Sequence, residues 1–182
     1  RLAVVGDIGS GKSHIAKLFG FPIFNADAEV SKLYKKNKKC YAKLKKALPY
    51  HITSFPIKKS QLSKAIMSNK NALKKIIKVV HPEIKKIMHR FVKKNKNKSI
   101  VILDIPLLME NKINRKSDVI IFIDAKKKEI NKRLKKRDNF NPKIVEKLKK
   151  LQLPLELKKK RSNFIIKNNF KNNYVKKNVK KI

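Results

Sequence analysis

The sequence predicts an α/β fold in which a parallel sheet of five strands lies between helices. Five short apolar segments of strand length recur along the chain, and lysine-rich segments with helical spacing separate them. Three of the chain's four glycines fall within residues 6–11, directly after the first apolar segment. A glycine turn between a strand and a helix is typical of three-layer α/β/α proteins that bind phosphate.

The predicted strands are the apolar runs Leu2–Val5, Ile23–Asn25, Ile100–Asp104, Val119–Asp124 and Phe164–Ile166. No convincing strand lies between Ala28 and Asn97. We predict several helices there, broken near Pro49, Pro56 and Pro82. The interval is too long for one crossover connection, so it is expected to be a helical insertion that forms a second substrate's pocket.

The glycine turn is a complete phosphate-loop motif, G-x-x-x-x-G-K-[ST], which begins at Gly6. Backbone N–H groups of such a loop surround phosphate oxygens, and the helix that follows adds positive potential. Lys12 is expected to reach the β- and γ-phosphates of ATP, and the Ser13 hydroxyl to ligate Mg²⁺. The fold is therefore predicted to be that of a P-loop NTPase, with the ATP-binding residues Gly9, Ser10, Gly11, Lys12, Ser13 and His14.

The composition is that of a globular and strongly basic chain. Its 182 residues carry a formal net charge of +38, and 41% of them are hydrophobic. The lysines are spread along the whole chain, and Lys, Asn and Ile all have A/T-rich codons, so a compositional bias explains the charge. Aromatic residues for base stacking are few, and no specific nucleic-acid partner is expected. A polyanion-binding protein is the alternative of a different class.

The sequence carries no membrane signal, because no apolar run approaches the ~20 residues of a membrane span. Asp7 and Lys12 interrupt any early apolar segment, so no signal peptide is expected. The single Cys40 cannot form an internal disulfide, which fits a cytoplasmic location. We expect a monomer or a weak homo-oligomer.

The acidic residues are informative, because only 12 Asp and Glu stand against 50 Lys and Arg. Asp104 ends an apolar strand, as in a Walker-B strand whose carboxylate helps to hold Mg²⁺. Asp124 ends a similar run, and the strand pattern does not choose between them. Asp27 lies at the end of the second short strand, at the sheet edge where ligands bind in open α/β proteins. A helix N-cap is the alternative for Asp27.

Arg133 and Arg137 are spaced four residues apart and are predicted to share one helix face. The planar, charged guanidinium suits phosphate, so this pair indicates stabilisation of transition-state charge. A surface helix with salt bridges to Glu129 and Asp138 is the alternative. The polar stretch from Asp138 to Leu157 is predicted to be helical and to act as a mobile lid over the phosphates.

Five further motifs resemble those of the dephospho-coenzyme A kinase family, over nearly the whole chain from Leu2 to about Asn169. Their order and approximate spacing agree with the family pattern. In chain order they are N-A-D at Asn25, V-H-P-E-I at Val80, D-I-P-L-L-M-E at Asp104, R-L-K-K-R-D at Arg133, and Q-L-P-L-E-L-K at Gln152 followed by F-I-I-K-N at Phe164.

The resemblance implies transfer of the γ-phosphoryl group of ATP to the ribose 3′-hydroxyl of dephospho-CoA, the last step of coenzyme A synthesis. It implies that Asp27 is the base or orienter of that hydroxyl. It also places His81 and Arg133 near dephospho-CoA, Arg137 at the base of the lid and Asn168 beside the adenine pocket. A helix-start histidine and an ordinary turn asparagine remain the alternatives for His81 and Asn168.

The resemblance also divides the chain. Residues 1–28, 98–137 and 159–182 form the predicted nucleotide-binding core. Residues 29–97 form the helical CoA-binding region, and residues 138–158 form the lid. Within the lid, the segment from Gln152 to Lys158 is expected to close over ATP.

Three positions depart from the family pattern. Asn25 stands where the family has an aspartate, Asp7 where the loop has a glycine, and His14 where a threonine is usual. These departures affect the expected efficiency more than the reaction type. The enzymatic alternative is another small P-loop kinase, acting on a nucleoside, a nucleotide or a shikimate-like alcohol. A GTPase is disfavoured because the chain has no N-K-x-D motif.

Overall fold

The computed structural model describes residues 1–138 and 140–182. Five strands form a sheet in the order β2-β3-β1-β4-β5, and every neighbouring pair is parallel. This confirms the predicted α/β fold. The strands are β1 (Leu2–Gly6), β2 (Ile23–Asn25), β3 (Ile102–Asp104), β4 (Val119–Ala125) and β5 (Phe164–Asn168).

Helices lie on both sides of the sheet and in one long insertion. Within the described ranges, none of them combines the length and the apolar character needed to cross a bilayer. The helices are α1 (Lys12–Leu18), α2 (Ala26–Lys36), α3 (Lys38–Ala47), α4 (Lys59–Ser68), α5 (Ala72–Lys94), α6 (Lys127–Lys135), α7 (Pro142–Lys149), α8 (Leu155–Lys160) and α9 (Asn172–Val179).

The chain folds as two compact units. The first consists of Arg1–Asn25 and Asn95–Ile182 and contains the whole sheet. The second, Ala26–Lys94, contains helices α2 to α5 and has no strand among its residues. It is inserted between β2 and β3, and α2 begins at the residue that directly follows β2.

The core of the first unit surrounds the central strand β1, which is buried along its whole length. Such near-continuous apolar strands are expected in a parallel sheet that helices cover on both faces. Ile15 and Ala16 of α1 and Val175 and Val179 of α9 pack into the same cluster as the strands. This packing fixes α1 against the sheet, so the loop that joins β1 to α1 lies at the carboxyl edge of the central strand.

The second unit packs around α5, which has a buried stripe with a spacing of four residues: Ala72, Ile76, Val80, Ile84 and Met88. Pro82 lies inside this helix, so the predicted break near Pro82 is wrong. Pro82 is on the exposed face. The backbone carbonyl that loses its N–H partner there can therefore be hydrated, and the buried stripe continues past the proline.

A buried ion pair joins the amino ends of β1 and β4. The Arg1 guanidinium donates from Nε to Asp118 Oδ1 (2.7 Å) and from Nη2 to Asp118 Oδ2 (2.6 Å). The side chains are only 9% and 1% exposed. Burial alone would raise the pKa of Asp118, but hydrogen bonds from Arg1 and from the Arg115 N–H, with the charge of Arg1, hold this pKa below its ordinary value.

We expect Asp118→Asn to destabilise the chain at neutral pH by on the order of 3 kcal/mol, because it leaves a buried guanidinium without its counter-charge. Folding lowers the pKa of Asp118, so the ionised group stabilises the fold fully above the unfolded value of about 4. That contribution is lost as the pH falls through the lower, folded pKa. Urea unfolding of both proteins between neutral and acidic pH measures this, and the difference between them should shrink towards low pH. A pH-independent difference would contradict the assignment.

Candidate nucleotide-binding site

The loop between β1 and α1 has the backbone shape that its glycines predict. Gly9 and Gly11 have φ angles of 86° and 91°, in the left-handed region that favours glycine. A Cβ atom on Gly11 would lie 2.5 Å from the side-chain nitrogen of Asn168. Neither the conformation nor the available space therefore tolerates a side chain at Gly11.

Lys12 is the first residue of α1, and its side chain folds back over the loop. Its Nζ donates to the carbonyl oxygens of Asp7 (2.7 Å) and Gly6 (3.3 Å). The ammonium is thus held beside the backbone that the motif assigns to phosphate, and its contact with the β- and γ-phosphates stays a prediction.

Ser10 is fully buried, and its Oγ has no hydrogen-bond partner among the described residues. A buried hydroxyl without a partner costs free energy, and such groups are found where a ligand can satisfy them. The loop therefore offers a polar atom beyond its backbone amides.

Asn168 ends β5 and supports the loop from behind. Its Nδ2 donates to the backbone oxygen of Ser10 (2.8 Å), and its Oδ1 accepts from the N–H of Phe170 (2.8 Å). The side chain is 5% exposed. Asn168 is more than an ordinary turn residue, because it holds the phosphate loop in place, and a direct contact with adenine stays a prediction.

The two residues that follow Lys12 are exposed at the amino end of α1. The Ser13 hydroxyl is thus accessible at the helix end to which the motif assigns Mg²⁺. The His14 ring lies against α9, where its Nε2 is 2.9 Å from Asn172 Oδ1. A contact between His14 and ATP stays a prediction.

The two aspartates near strand ends, Asp104 and Asp124, differ in burial and in their charged neighbours. Asp104 ends β3, next to β1, is 4% exposed, and its Oδ2 accepts from Asn25 Nδ2 (2.6 Å). Asp124, near the end of β4, is more exposed and lies 3.1 Å from the Lys159 ammonium. In the described part of the chain no cation pairs with Asp104. A buried carboxylate without a protein counter-ion is the better candidate for a Mg²⁺ ligand.

The donor set around Asp104 fits magnesium better than a transition metal. No cluster of three or more His, Cys, Asp and Glu side chains that could hold a metal occurs in the described residues. Mg²⁺ typically binds through one or two protein oxygens together with waters and substrate phosphates. One carboxylate and one helix-end hydroxyl, Asp104 and Ser13, therefore suffice for it.

The prediction that Arg133 and Arg137 share one helix face is wrong. Helix α6 ends at Lys135, so Arg133 lies in its last turn and Arg137 lies beyond it. The Arg133 guanidinium stacks over the Phe170 ring, with its Cζ 4.5 Å from the ring centroid. Phe170 also adjoins Gly11, since a Cβ there would be 3.4 Å from its ring. Arg133 therefore belongs to the nucleotide-loop side of the first unit, and its predicted contact with dephospho-CoA stays untested.

The alternative for Arg133 and Arg137 was a surface helix with salt bridges to acidic neighbours. In the described ranges, neither Arg133 nor Arg137 pairs with Glu129 or Asp138. The surface salt-bridge alternative is thus not supported. Both arginines are exposed residues.

Asp27 and His81 lie in the second unit, where the structure contradicts one expectation and two alternatives. Strand β2 ends at Asn25, and Asp27 is an exposed residue in the first turn of α2, neither at the end of the strand nor at an N-cap. His81 is in the interior of α5, which begins at Ala72, so it is not a helix-start histidine.

A second buried ion pair, like that between Arg1 and Asp118, was not predicted from the sequence. Lys158 Nζ lies 2.7 Å from Glu110 Oε1, and the side chains are 1% and 9% exposed. The same Glu110 oxygen accepts from the N–H of Leu153 (3.0 Å). Glu110 and Lys158 each end one of the motifs described above. A single sequence does not show that two residues so far apart in the chain form a pair. Lys158 ends the segment that is expected to close over ATP, and its ion pair with Glu110 fixes that end within the first unit.

A cavity of about 380 Å³ lies beside the phosphate loop. It brings one loop residue together with the end of β4 and with residues of the predicted lid. Asn139, which falls within that lid, lies outside the described residues. The lining residues are Asp7, Phe122, Ile123, Asp124, Ala125, Lys127, Ile130, Lys149, Gln152, Leu153, Pro154 and Leu155.

Comparison with known proteins agrees with this geometry. A family model described as dephospho-CoA kinase matches residues 1–173. The chain belongs to the dephospho-CoA kinase family. The dephospho-CoA kinase of Wolbachia pipientis wMel is 31% identical, over 100% of this chain and 95% of that protein.

Solved structures show the same fold as this member of the dephospho-CoA kinase family. A crystal structure from Thermus thermophilus matches with a TM-score of 0.74 and 25% identity, over 99% of this chain and 94% of that one. The dephospho-CoA kinase from Campylobacter jejuni matches with a TM-score of 0.62 and 25% identity, over 98% and 94% of the two chains. The family assignment therefore rests on nearly the full length of the chain.

Proposed function

We propose that this chain transfers the γ-phosphoryl group of ATP to the ribose 3′-hydroxyl of dephospho-CoA, which yields CoA and ADP. The observation that carries the proposal is the match of the dephospho-CoA kinase family over residues 1–173. The phosphate loop at the carboxyl edge of β1 supports the ATP part of the reaction. Family membership supports the acceptor part.

The proposed ATP site is the loop from Gly6 to Ser13. Its backbone amides and the amino end of α1 hold the triphosphate, and the Ser10 hydroxyl can gain a hydrogen-bond partner there. Lys12 exchanges its two bonds to backbone carbonyls for bonds to the β- and γ-phosphates. Because this exchange replaces neutral acceptors with charged ones, the Lys12 ammonium is best stabilised when charge develops on the transferring group.

We assign the proposed Mg²⁺ site to Ser13 and Asp104. The bound ion would neutralise charge on the β- and γ-phosphates. Asn25 takes part by donating to one carboxylate oxygen of Asp104, so it fixes the direction of the carboxyl group. An asparagine does this without adding a second negative charge beside Asp104.

Asp27 is the proposed base or orienter for the acceptor hydroxyl. A carboxylate can take the proton of the 3′-hydroxyl or hold the hydroxyl in line with the γ-phosphorus. Its exposure in the first turn of α2 leaves the side chain accessible to a substrate. His81 of the same unit is a proposed contact of dephospho-CoA.

Arg133 and Arg137 are proposed to neutralise phosphate charge from the side of α6. Residues 138–158 are the proposed lid, anchored at Lys158 by Glu110.

We also propose a cytoplasmic location, which agrees with the free thiol of Cys40. This thiol is buried. Burial and the charge of Glu83 raise its pKa, and the charge of Lys43 opposes that rise.

The test is a panel of acceptors assayed by coupled ADP release, with mass spectrometry of the product. With ATP and Mg²⁺, dephospho-CoA should release ADP well above the water background and gain one phosphoryl group on its ribose. Adenosine, AMP and shikimate should remain at the water level. Turnover of one of these acceptors, with dephospho-CoA at the background rate, would overturn the proposal in favour of another P-loop kinase.

A further inference from the structure

Asp7 adds a negative charge to a loop whose task is to bind an anion. Asp7 directly follows Gly6 and occupies the first variable position of the loop motif. An unpaired carboxylate beside a triphosphate would repel it, and the partly buried setting screens this repulsion less than water would. Either ATP binding is weakened here, or another group compensates for Asp7.

The carboxylate of Asp7 has two partners. Its Oδ1 accepts from the N–H of Ile8 (2.6 Å), and its Oδ2 lies 3.6 Å from the Lys149 ammonium. The Asp7 side chain is 13% exposed and the Lys149 side chain 35% exposed. One carboxylate oxygen therefore accepts a hydrogen bond from a backbone amide, and the other lies within ion-pair distance of a cation.

Lys149 is the last residue of α7, within the proposed lid. It lines the cavity beside the phosphate loop together with Asp7. The neighbouring Lys150 behaves differently, since it pairs with Glu146 at 2.8 Å and its side chain is 73% exposed. Lys12 contacts Asp7 through the backbone oxygen, whereas Lys149 is the lysine that the described ion pairs bring to the Asp7 carboxylate.

We infer that Lys149 is the counter-ion that allows this phosphate loop to carry Asp7 and still bind a nucleoside triphosphate. Lys149 is a positioning residue, because it acts on ATP through the carboxylate of Asp7. It neutralises that carboxylate and keeps it bonded to the Ile8 amide. The inference rests on the proposed function, which identifies the ligand as ATP. It concerns binding of this phosphoryl donor and not of the acceptor dephospho-CoA.

The inference predicts a coupling between two substitutions, measured by calorimetric titration with ATP and Mg²⁺ in the absence of acceptor. Lys149→Ala should weaken ATP binding by about three- to tenfold, the range expected for an uncompensated charge in a partly buried site. In an Asp7→Gly background, Lys149→Ala should change the affinity less than about twofold, because no carboxylate is left to neutralise. Asp7→Gly alone should bind ATP at least as tightly as the natural sequence.

Matched variants separate this role from a structural one. Lys150→Ala should leave the ATP affinity unchanged, and Lys149→Arg should restore it. Lys149→Ala should also raise the KM for ATP without raising the KM for dephospho-CoA. If Asp7→Gly does not fold, as judged by circular dichroism, Asp7→Asn provides the same neutral background.

Two results would overturn the inference. An equal loss of affinity from Lys149→Ala in both backgrounds would mean that Lys149 contacts ATP directly. No loss in the natural background would mean that the ion pair does not affect the nucleotide. Failure of the proposed function is a separate result, because the titration contains no acceptor and the coupling can appear in a protein that does not phosphorylate dephospho-CoA.

Discussion

Replacing Lys12 with alanine should lower kcat for dephospho-CoA phosphorylation by about a hundred- to a thousandfold, the effect typical of removing one preorganised charge donor from a transition state. The Lys12 ammonium is already held over the loop by the carbonyls of Gly6 and Asp7. It needs little rearrangement to reach a phosphate. Steady-state kinetics with ATP varied at saturating dephospho-CoA measures the loss.

Lys17 is the matched control for this substitution. It lies in the last turn of the same helix α1 and is exposed. Lys17→Ala removes an equal charge from α1 and should leave kcat within about twofold, as expected for a surface position away from the site. Near-normal turnover of Lys12→Ala would contradict the role assigned to the phosphate loop.

Asp27→Asn should lower kcat by about a hundredfold or more while the ATP dissociation constant stays nearly constant. The amide has almost the same shape as the carboxylate but cannot accept a proton from the acceptor hydroxyl. Single-turnover measurements with radiolabelled ATP separate the chemical step from binding. The effect should therefore be seen in the rate constant of phosphoryl transfer.

Glu29 offers a control within the same helical turn. It lies in the first turn of α2 with Asp27 and pairs with Lys32 at 2.7 Å. Glu29→Gln changes the charge of that turn equally and should keep kcat near the natural value. If Asp27→Asn raises only the KM for dephospho-CoA, Asp27 is a binding residue and the proposed base must be another group.

The strands were predictable because their signal is local. Each of the five apolar runs is short, lies between polar segments and corresponds to an observed strand, with changes of a few residues at the ends. The phosphate loop was predictable for the same reason, since its spacing fixes both the backbone turn and the place of Lys12. Buried strands of a parallel sheet must be apolar on both faces, and this requirement is visible in a single sequence.

Local signals failed where packing decides the outcome. Pro82 is a helix breaker by propensity, but a buried stripe on the opposite face continues α5 through it. The four-residue spacing of Arg133 and Arg137 suggested a shared helix face, but α6 ends between them. Helix ends depend on tertiary contacts and on capping, which residue spacing alone does not reveal.

Contacts between residues that are distant in the chain could not be predicted from the sequence. The Asn168 amide supports the loop at Ser10, and Lys158 is buried against Glu110. In a chain with 50 basic and 12 acidic residues, any carboxylate has many possible partners. Only the three-dimensional arrangement selects which lysine each carboxylate meets.

The place of the helical insertion has an evolutionary consequence. Residues 26–94 enter the chain at the end of β2 and leave it at the end of α5, so two peptide junctions bound the whole block. Each unit has its own buried apolar residues. If the insertion binds the acceptor, as proposed, recombination that replaces this block could give an enzyme that phosphorylates a different alcohol. The ATP-binding residues of the first unit would remain unchanged.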